Sequence, residues 1–139
     1  MLSVYWKEKP EWLRACLDSI FRQTVRPDEV VIMEDGPLTA ELDAVVDEFA
    51  ERYHEVKVVA LPKNGGLGPA LNEGLKHCSY DLVARMDADD ICKPNRFERE
   101  LLMFEQDSDL DVCCSWIEEF KDSTDNVVNV RRLPERHEE

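Results

Sequence analysis

Leu82-Val83-Ala84-Arg85-Met86-Asp87-Ala88-Asp89-Asp90 sets an apolar run directly against three carboxylates in four residues. An apolar run bounded by polar residues reads as a buried strand, here Leu82 to Met86, and its end carries the acids. Oxygen ligands grouped at a strand end suit a hard divalent cation and leave coordination positions open for substrate phosphates. In a chain with 31 Asp and Glu, the same run also reads as a solvated turn that caps the next helix. The rest of the chain weighs between these two.

Working outward, the same grammar repeats. Leu2-Ser3-Val4-Tyr5 is a short first strand. Pro10 suits a helix first turn, and Trp12, Leu13, Cys16, Leu17, Ile20 and Phe21 share one helix face. Val30 to Met33 is a buried strand ending in Glu34-Asp35-Gly36, and Thr39 caps a second helix carrying Leu42, Val45, Val46 and Phe49. Val56 to Leu61 is a third strand, followed by Asn64-Gly65-Gly66-Leu67-Gly68 and a helix through Ala70, Leu71, Gly74, Leu75 and Cys78. After the acidic stretch, Pro94-Asn95-Arg96 opens a fourth helix with Phe97, Leu101, Leu102 and Phe104. From Asp111 the pattern changes to two strand-like runs, Val112 to Phe120 and Val127 to Arg132, around a turn at residues 122–126.

Four strand-then-helix units predict an α/β fold, a mostly parallel Rossmann-like sheet with helices on both faces, closed by a C-terminal β-hairpin. Ligands of such sheets bind outside the carboxyl ends of the strands. Tyr5-Trp6-Lys7, Glu34-Asp35-Gly36 and Asp87 to Asp90 all follow strands and therefore meet on one edge, which favours a ligand site over a solvated turn.

Composition narrows the partners. A length of 139 residues suits one domain, and the formal charge of −14 argues against nucleic acid or an anionic membrane surface. No apolar run approaches the ~20 residues of a membrane span, and no signal peptide is readable. Five cysteines without C-x-x-C spacing read as reduced packing residues, so cytoplasm is the expected location. His54, His77 and His137 have no metal-ligand spacing.

Individual residues keep two readings each. Asp35 is either an acceptor for a base or ribose hydroxyl or a carboxylate favoured by the following helix's dipole. The glycines at 65, 66 and 68 lack the Lys-Ser/Thr of a P-loop and serve equally as a tight turn. Asn72 and Arg85 are polar groups beside apolar elements and need partners, Arg85 either a diphosphate or the acids themselves.

Taken together, Ser3-Val4-Tyr5, Leu17 to Thr24, Pro27-Asp28-Glu29-Val30, Glu34-Asp35-Gly36, Asn64 to Asn72, Met86 to Ile91 and Pro94-Asn95-Arg96-Phe97 resemble glycosyltransferase family 2, over nearly the whole chain. The resemblance implies the GT-A fold and an inverting, metal-dependent transfer from a nucleotide-diphosphate sugar, most often of UDP type, to a saccharide or lipid-linked acceptor. It implies Asp87 and Asp89 as the DxD pair for Mg²⁺ or Mn²⁺. Asp35 would hold the base or ribose, Val4, Tyr5 and Trp6 would pack the base, and Lys63, Asn72, Arg85 and Asp87 would line the donor pocket. The family's general base lies past the hairpin and matches nothing here, so the expectation is residues 1–139 as the donor-binding part of a GT-A domain trimmed at its C-terminus, the base following Glu139. The full-length protein would then work at the inner membrane face.

Rival readings fail on the first strand. A phosphoacceptor receiver needs an acidic pair where Tyr5-Trp6-Lys7 stands, and a nucleotidylyltransferase needs a glycine-rich loop there. The alternative that survives is a nucleotide-sugar-binding fragment without transfer activity. Trp116, Ile117 and Phe120 on the hairpin also predict self-association.

Overall fold

The computed structural model describes residues 1–134. They form two compact units, Met1–Phe97 and a second that begins at Glu98.

The first unit alternates strand and helix: β1 (Leu2–Val4), α1 (Pro10–Phe21), β2 (Val30–Glu34), α2 (Ala40–Arg52), β3 (Val56–Ala60), α3 (Leu67–Leu75) and β4 (Met86–Asp87). The four strands are parallel in the order β3-β2-β1-β4. The chain thus steps outward from β1 to β3 and then crosses back to the other side of β1. Strand order reverses between β1 and β4, and a crevice forms at such a point above the carboxyl ends.

Strand alternation sorts the side chains. Leu2, Val4, Val30 and Ile32 pack with Leu13, Cys16, Leu17 and Ile20 of α1 and Leu42, Val46 and Phe49 of α2 in one buried cluster. Each fully buried Leu, Ile or Phe contributes about 1.5–3 kcal/mol. Met33 points to the other face, where Gly74 of α3 lies so close that an added Cβ would stand 2.8 Å from its Cγ. Helices therefore cover both faces, as the sequence predicts.

Caps and turns follow the sequence at several points. Pro10 opens α1, and the Thr39 hydroxyl accepts the Leu42 N–H at 3.3 Å to start α2. Phe21 stacks on Tyr53 at 3.7 Å between ring centres, and Arg14 grips Glu48 with two hydrogen bonds of 2.8 and 2.7 Å, joining α1 to α2.

Two expectations need correction in this unit. The fourth strand is not Leu82 to Met86: β4 is only Met86–Asp87, and Leu82 is 49% exposed. Its partner β1 offers just Leu2 and Ser3 for pairing, so Leu82 to Ala84 have no ladder to join. The third helix ends at Leu75 rather than reaching Cys78, whose thiol instead lies 3.5 Å from the Gly74 carbonyl.

The second unit contains most of α4 (Arg96–Gln106) and a hairpin of β5 (Ile117–Lys121) with β6 (Ser123–Arg131). The hairpin exists, but its limits differ from the sequence reading. Val112 to Trp116 lie outside the strands, and the expected loop at 122–126 shrinks to Asp122 alone, at φ 66°. Asn126 donates to the Lys121 carbonyl at 3.1 Å and Asp125 N–H to the Ser123 hydroxyl at 3.3 Å, which folds those loop residues into a bulged strand. Phe120, Val128 and Val130 are exposed on it.

Candidate functional site

A cleft of about 350 Å³ opens where the strand order reverses, lined by Ser3, Tyr5, Glu8, Asp35, Asn64, Gly66, Leu67, Asp87, Ala88 and Asp89. Each wall has a cause in the local chain. Tyr5 and Glu8 belong to the turn after β1, closed by a 3.0 Å hydrogen bond from Glu8 N–H to the Tyr5 carbonyl. Asp87 ends β4, and Ala88 tucks into the core beneath the exposed Asp89.

Asp35 organises the opposite wall. Its carboxylate, 3% exposed, accepts Gly65 N–H on Oδ1 at 2.7 Å, and Gly66 N–H and Asn64 Nδ2 on Oδ2 at 2.9 and 3.0 Å. Asn64 Nδ2 also reaches the Asp35 carbonyl at 3.1 Å. A carboxylate has about four lone-pair sites, so one acceptor position on Oδ1 stays open to a ligand. Gly36, at φ +83°, makes this approach possible: a Cβ there would lie 2.4 Å from Asn64 N.

The acidic stretch is held from behind by α1 and the turn that follows it. The Cys16 thiol donates to the Asp87 carbonyl at 3.3 Å, the Ser19 hydroxyl accepts Cys92 N–H at 3.0 Å, and Gln23 Nε2 donates to the Lys93 carbonyl at 2.8 Å. Gln23 Oε1 then accepts Phe97 N–H at 3.1 Å. Sequence reading passed over Ser19 and Gln23, although two buried polar residues four apart beside the apolar stripe of α1 demand partners and mark a template. It also passed over Glu8, for which position after the first strand was the only signal.

Charge in the cleft is uncompensated on one side. Burial raises the Glu8 carboxyl above its usual range, and the charges of Asp89 and Asp87 add to this. Burial likewise raises Asp90, again with Asp89 and Asp87, against the pull of Arg96 and Arg85. Arg85 Nη2 binds Asp87 Oδ1. Burial pushes the Cys16 thiol up to about 12, so it stays a neutral donor to the backbone.

Of the residues expected at the site, Tyr5, Asp35, Asp87 and Asp89 meet in the cleft. Val4 is wholly buried in the core and offers only its carbonyl, which accepts Asp35 N–H at 2.8 Å. Trp6 is half exposed outside the lining, with the Lys7 ammonium 5.0 Å from its ring centre. Lys63, Asn72 and Arg85 are exposed and also lie outside the lining, Arg85 touching it only through Asp87. Among the described residues no three His, Cys, Asp or Glu side chains are grouped to hold a metal ion on their own. Asp87 and Asp89 supply hard oxygen donors of the kind Mg²⁺ or Mn²⁺ takes when substrate oxygens and water complete its shell. The donor set fits such an ion.

Comparison with known proteins gives the family. The family model described as glycosyl transferase family 2 matches residues 3–138. An uncharacterized glycosyltransferase of Haemophilus influenzae is 45% identical over 134 residues, 96% of this chain and 50% of its own length. The UDP-Gal:alpha-D-GlcNAc-diphosphoundecaprenol beta-1,3-galactosyltransferase of Escherichia coli is 42% identical over 137 residues, 99% of this chain and 50% of its own. The mannosyltransferase PcManGT of Pyrobaculum calidifontis, solved with GDP-Man and Mn²⁺, superposes with a TM-score of 0.55 at 25% identity over 65% of this chain and 27% of that one. The chain spans about half the length of the curated relatives it matches. Its parallel sheet and its covering helices are those of the GT-A fold, and the chain belongs to glycosyltransferase family 2.

Proposed function

We propose that this chain is the donor-binding part of an inverting glycosyltransferase that moves a sugar from a nucleoside diphosphate sugar, of UDP type, to an acceptor hydroxyl with help from Mg²⁺ or Mn²⁺. The observation that carries the reading is the placement of Asp87 and Asp89 across one cleft from the Asp35-held loop, at the reversal of strand order. Tyr5 offers a ring to the base, and the open Oδ1 position of Asp35 accepts from base or ribose. Lys63 and Asn72, exposed on the loop and on α3, are proposed to reach the nucleotide from the rim, while Val4 and Trp6 shape the base side of the turn. The galactosyltransferase relative, named for a lipid diphosphate acceptor, suggests an acceptor of saccharide or lipid-linked type.

In this reaction the acceptor oxygen attacks the anomeric carbon from the face opposite the nucleotide. The new C–O bond forms as the bond to the diphosphate breaks, and configuration inverts. Asp87 and Asp89 would hold the cation, which supplies positive charge against the departing diphosphate. The acceptor proton passes to a base, which we place in the part of the relatives that this chain does not match. The five cysteines are free, which suits the reducing cytoplasm, and among the described residues no helix is long and apolar enough to cross a membrane. The full-length enzyme would meet a lipid-linked acceptor at the inner face of the membrane. Exposed Trp116, Ile117 and Phe120, joined by Val128 and Val130, favour self-association through the hairpin, which light scattering would detect as a mass above the monomer.

Calorimetry of UDP with and without Mn²⁺ tests the donor site. Binding should require the cation, Asp89→Ala should remove the cation-dependent part, and Asp90→Ala should cost less. Equal affinity in excess chelator would overturn the metal role. The second reading, a binding fragment without transfer activity, is favoured by the chain's spanning about half the length of its curated relatives, and acceptor-dependent turnover by this chain would exclude it.

A further inference from the structure

Arg85 stands in an unusual relation to the cleft. Its guanidinium lies outside the lining yet occupies Oδ1 of Asp87, one of the two carboxylates that fit a divalent cation. Arginine keeps its charge in a protein, so a cation that binds Asp87 is opposed by that charge unless the side chain turns away. The structure makes that movement cheap. The Arg85 side chain is 52% exposed, while its main chain is fixed: its carbonyl accepts Arg96 Nη2 at 3.1 Å and the next N–H, that of Met86, reaches the Met1 carbonyl at 3.0 Å. A mobile fork on a fixed backbone can turn from carboxylate to phosphate, both of which it binds by paired hydrogen bonds.

We propose that Arg85 is a positioning residue that neutralises Asp87 until the donor arrives and is then passed to the donor's diphosphate, so that cation and nucleotide enter the site as a coupled pair. This rests on the donor-site reading given above. The charges decide the direction of the exchange. A cation alone at Asp87 is opposed by the charge of Arg85, or turns the guanidinium away from its carboxylate. A nucleotide alone finds Arg85 engaged and meets the negative field of Asp89, Asp90 and Glu8. Both together satisfy every group: the cation takes the acids and the diphosphate takes the guanidinium. Each ligand therefore raises the affinity for the other, and by linkage the two effects are equal.

The test measures Mn²⁺ binding alone, by electron paramagnetic resonance of the free ion, and UDP binding at saturating Mn²⁺, by calorimetry, in the wild type, Arg85→Met and Arg85→Lys. Because the side chain is half exposed, all three should melt alike. Arg85→Met should bind Mn²⁺ alone about two- to fivefold more tightly, the worth of an exposed ion pair. It should bind UDP about tenfold more weakly, having lost a charged hydrogen-bond partner. Arg85→Lys should return the Mn²⁺ affinity to near the wild-type value and the UDP affinity only in part, since an ammonium lacks the paired geometry. Opposite signs for the two ligands are the signature, and a merely structural role would move both downward. If the wild type binds UDP with Mn²⁺ but Arg85→Met leaves Mn²⁺ affinity unchanged or lowers it, the relay is wrong and the donor site stands. If the wild type binds no UDP at any Mn²⁺ concentration, the donor site itself falls, and the relay with it.

Discussion

Replacing Asp35 by alanine should loosen the loop it holds and lower stability before any ligand is considered. Three donors lose their charged acceptor: Gly65 N–H at 2.7 Å, Gly66 N–H at 2.9 Å and Asn64 Nδ2 at 3.0 Å. Hydrogen bonds to a charged group contribute roughly 1.5–3 kcal/mol each when the donors stay buried. Residues 63–65 are exposed, so water recovers much of this, and roughly 1 kcal/mol per backbone donor is the fitting figure. Removing a carboxylate that is 3% exposed also returns its own desolvation cost. The net loss should be about 1–3 kcal/mol, or about 5–20 °C in the melting temperature of a unit this size. Thermal unfolding followed by circular dichroism reads it directly. UDP affinity at a temperature where the variant is folded then separates two roles: a further loss of about tenfold shows that the open Oδ1 position binds nucleotide, in line with a charged hydrogen bond. A variant that melts within about 2 °C of the wild type, where the same scaling gives less than ~0.5 kcal/mol, would refute the loop-holding argument.

Two more outcomes follow from neighbouring residues. Gly36→Ala combines a φ of +83° with a Cβ 2.4 Å from a backbone nitrogen, and the backbone cannot yield as a flexible side chain would. It should cost more than about 2 kcal/mol in denaturant unfolding, and a loss below about 0.5 kcal/mol would show that the two loops part easily. Glu34 has its carboxyl raised from 4.5, first by burial and then by Asp43 and Asp47. A raised acid stabilises fully below its unfolded value and loses that contribution as pH rises through the folded one. Glu34→Gln should therefore be more stable than the wild type at pH 7, with the gain vanishing below about pH 4. Denaturant unfolding at both pH values checks this, and a gain that persists at the lower pH would count against it.

Much of the first unit could be read from sequence because its signals are local. Proline at the start of α1, Thr39 before α2 and the apolar periods of both helices each act through neighbours a turn away, and each appears as expected. Strand limits were less legible because they depend on partners. Leu82 to Ala84 are as apolar as any strand, yet β1 has no residues placed to pair with them. The hairpin loop vanished for a similar reason: Asn126 reaching back to Lys121 pulls polar turn residues into the ladder. At the site, Asp87, Asp89, Tyr5 and Asp35 were visible through their places after strands. Glu8 was not, since it sits three residues beyond Tyr5 in a turn without a pattern. Asp35's three donors were hidden as well, because a sequence shows that a carboxylate is present and not what already holds it.

The template that α1 and the turn after it provide for the acidic stretch separates the geometry of the acids from the path the chain takes to reach them. Cys16, Ser19 and Gln23 hold residues 87–97 across roughly seventy positions of sequence. Insertions or deletions between α3 and β4, where Leu82 and Val83 are exposed and carry no strand pairing, would lengthen or shorten the route without moving its destination. The fold can thus vary its surface loops freely on that side while Asp87 and Asp89 keep their register against Ser3 and the loop that Asp35 holds. Local chain length is tolerant there, and a buried polar pair, Ser19 on α1 and Gln23 just past its end, keeps the acids in place.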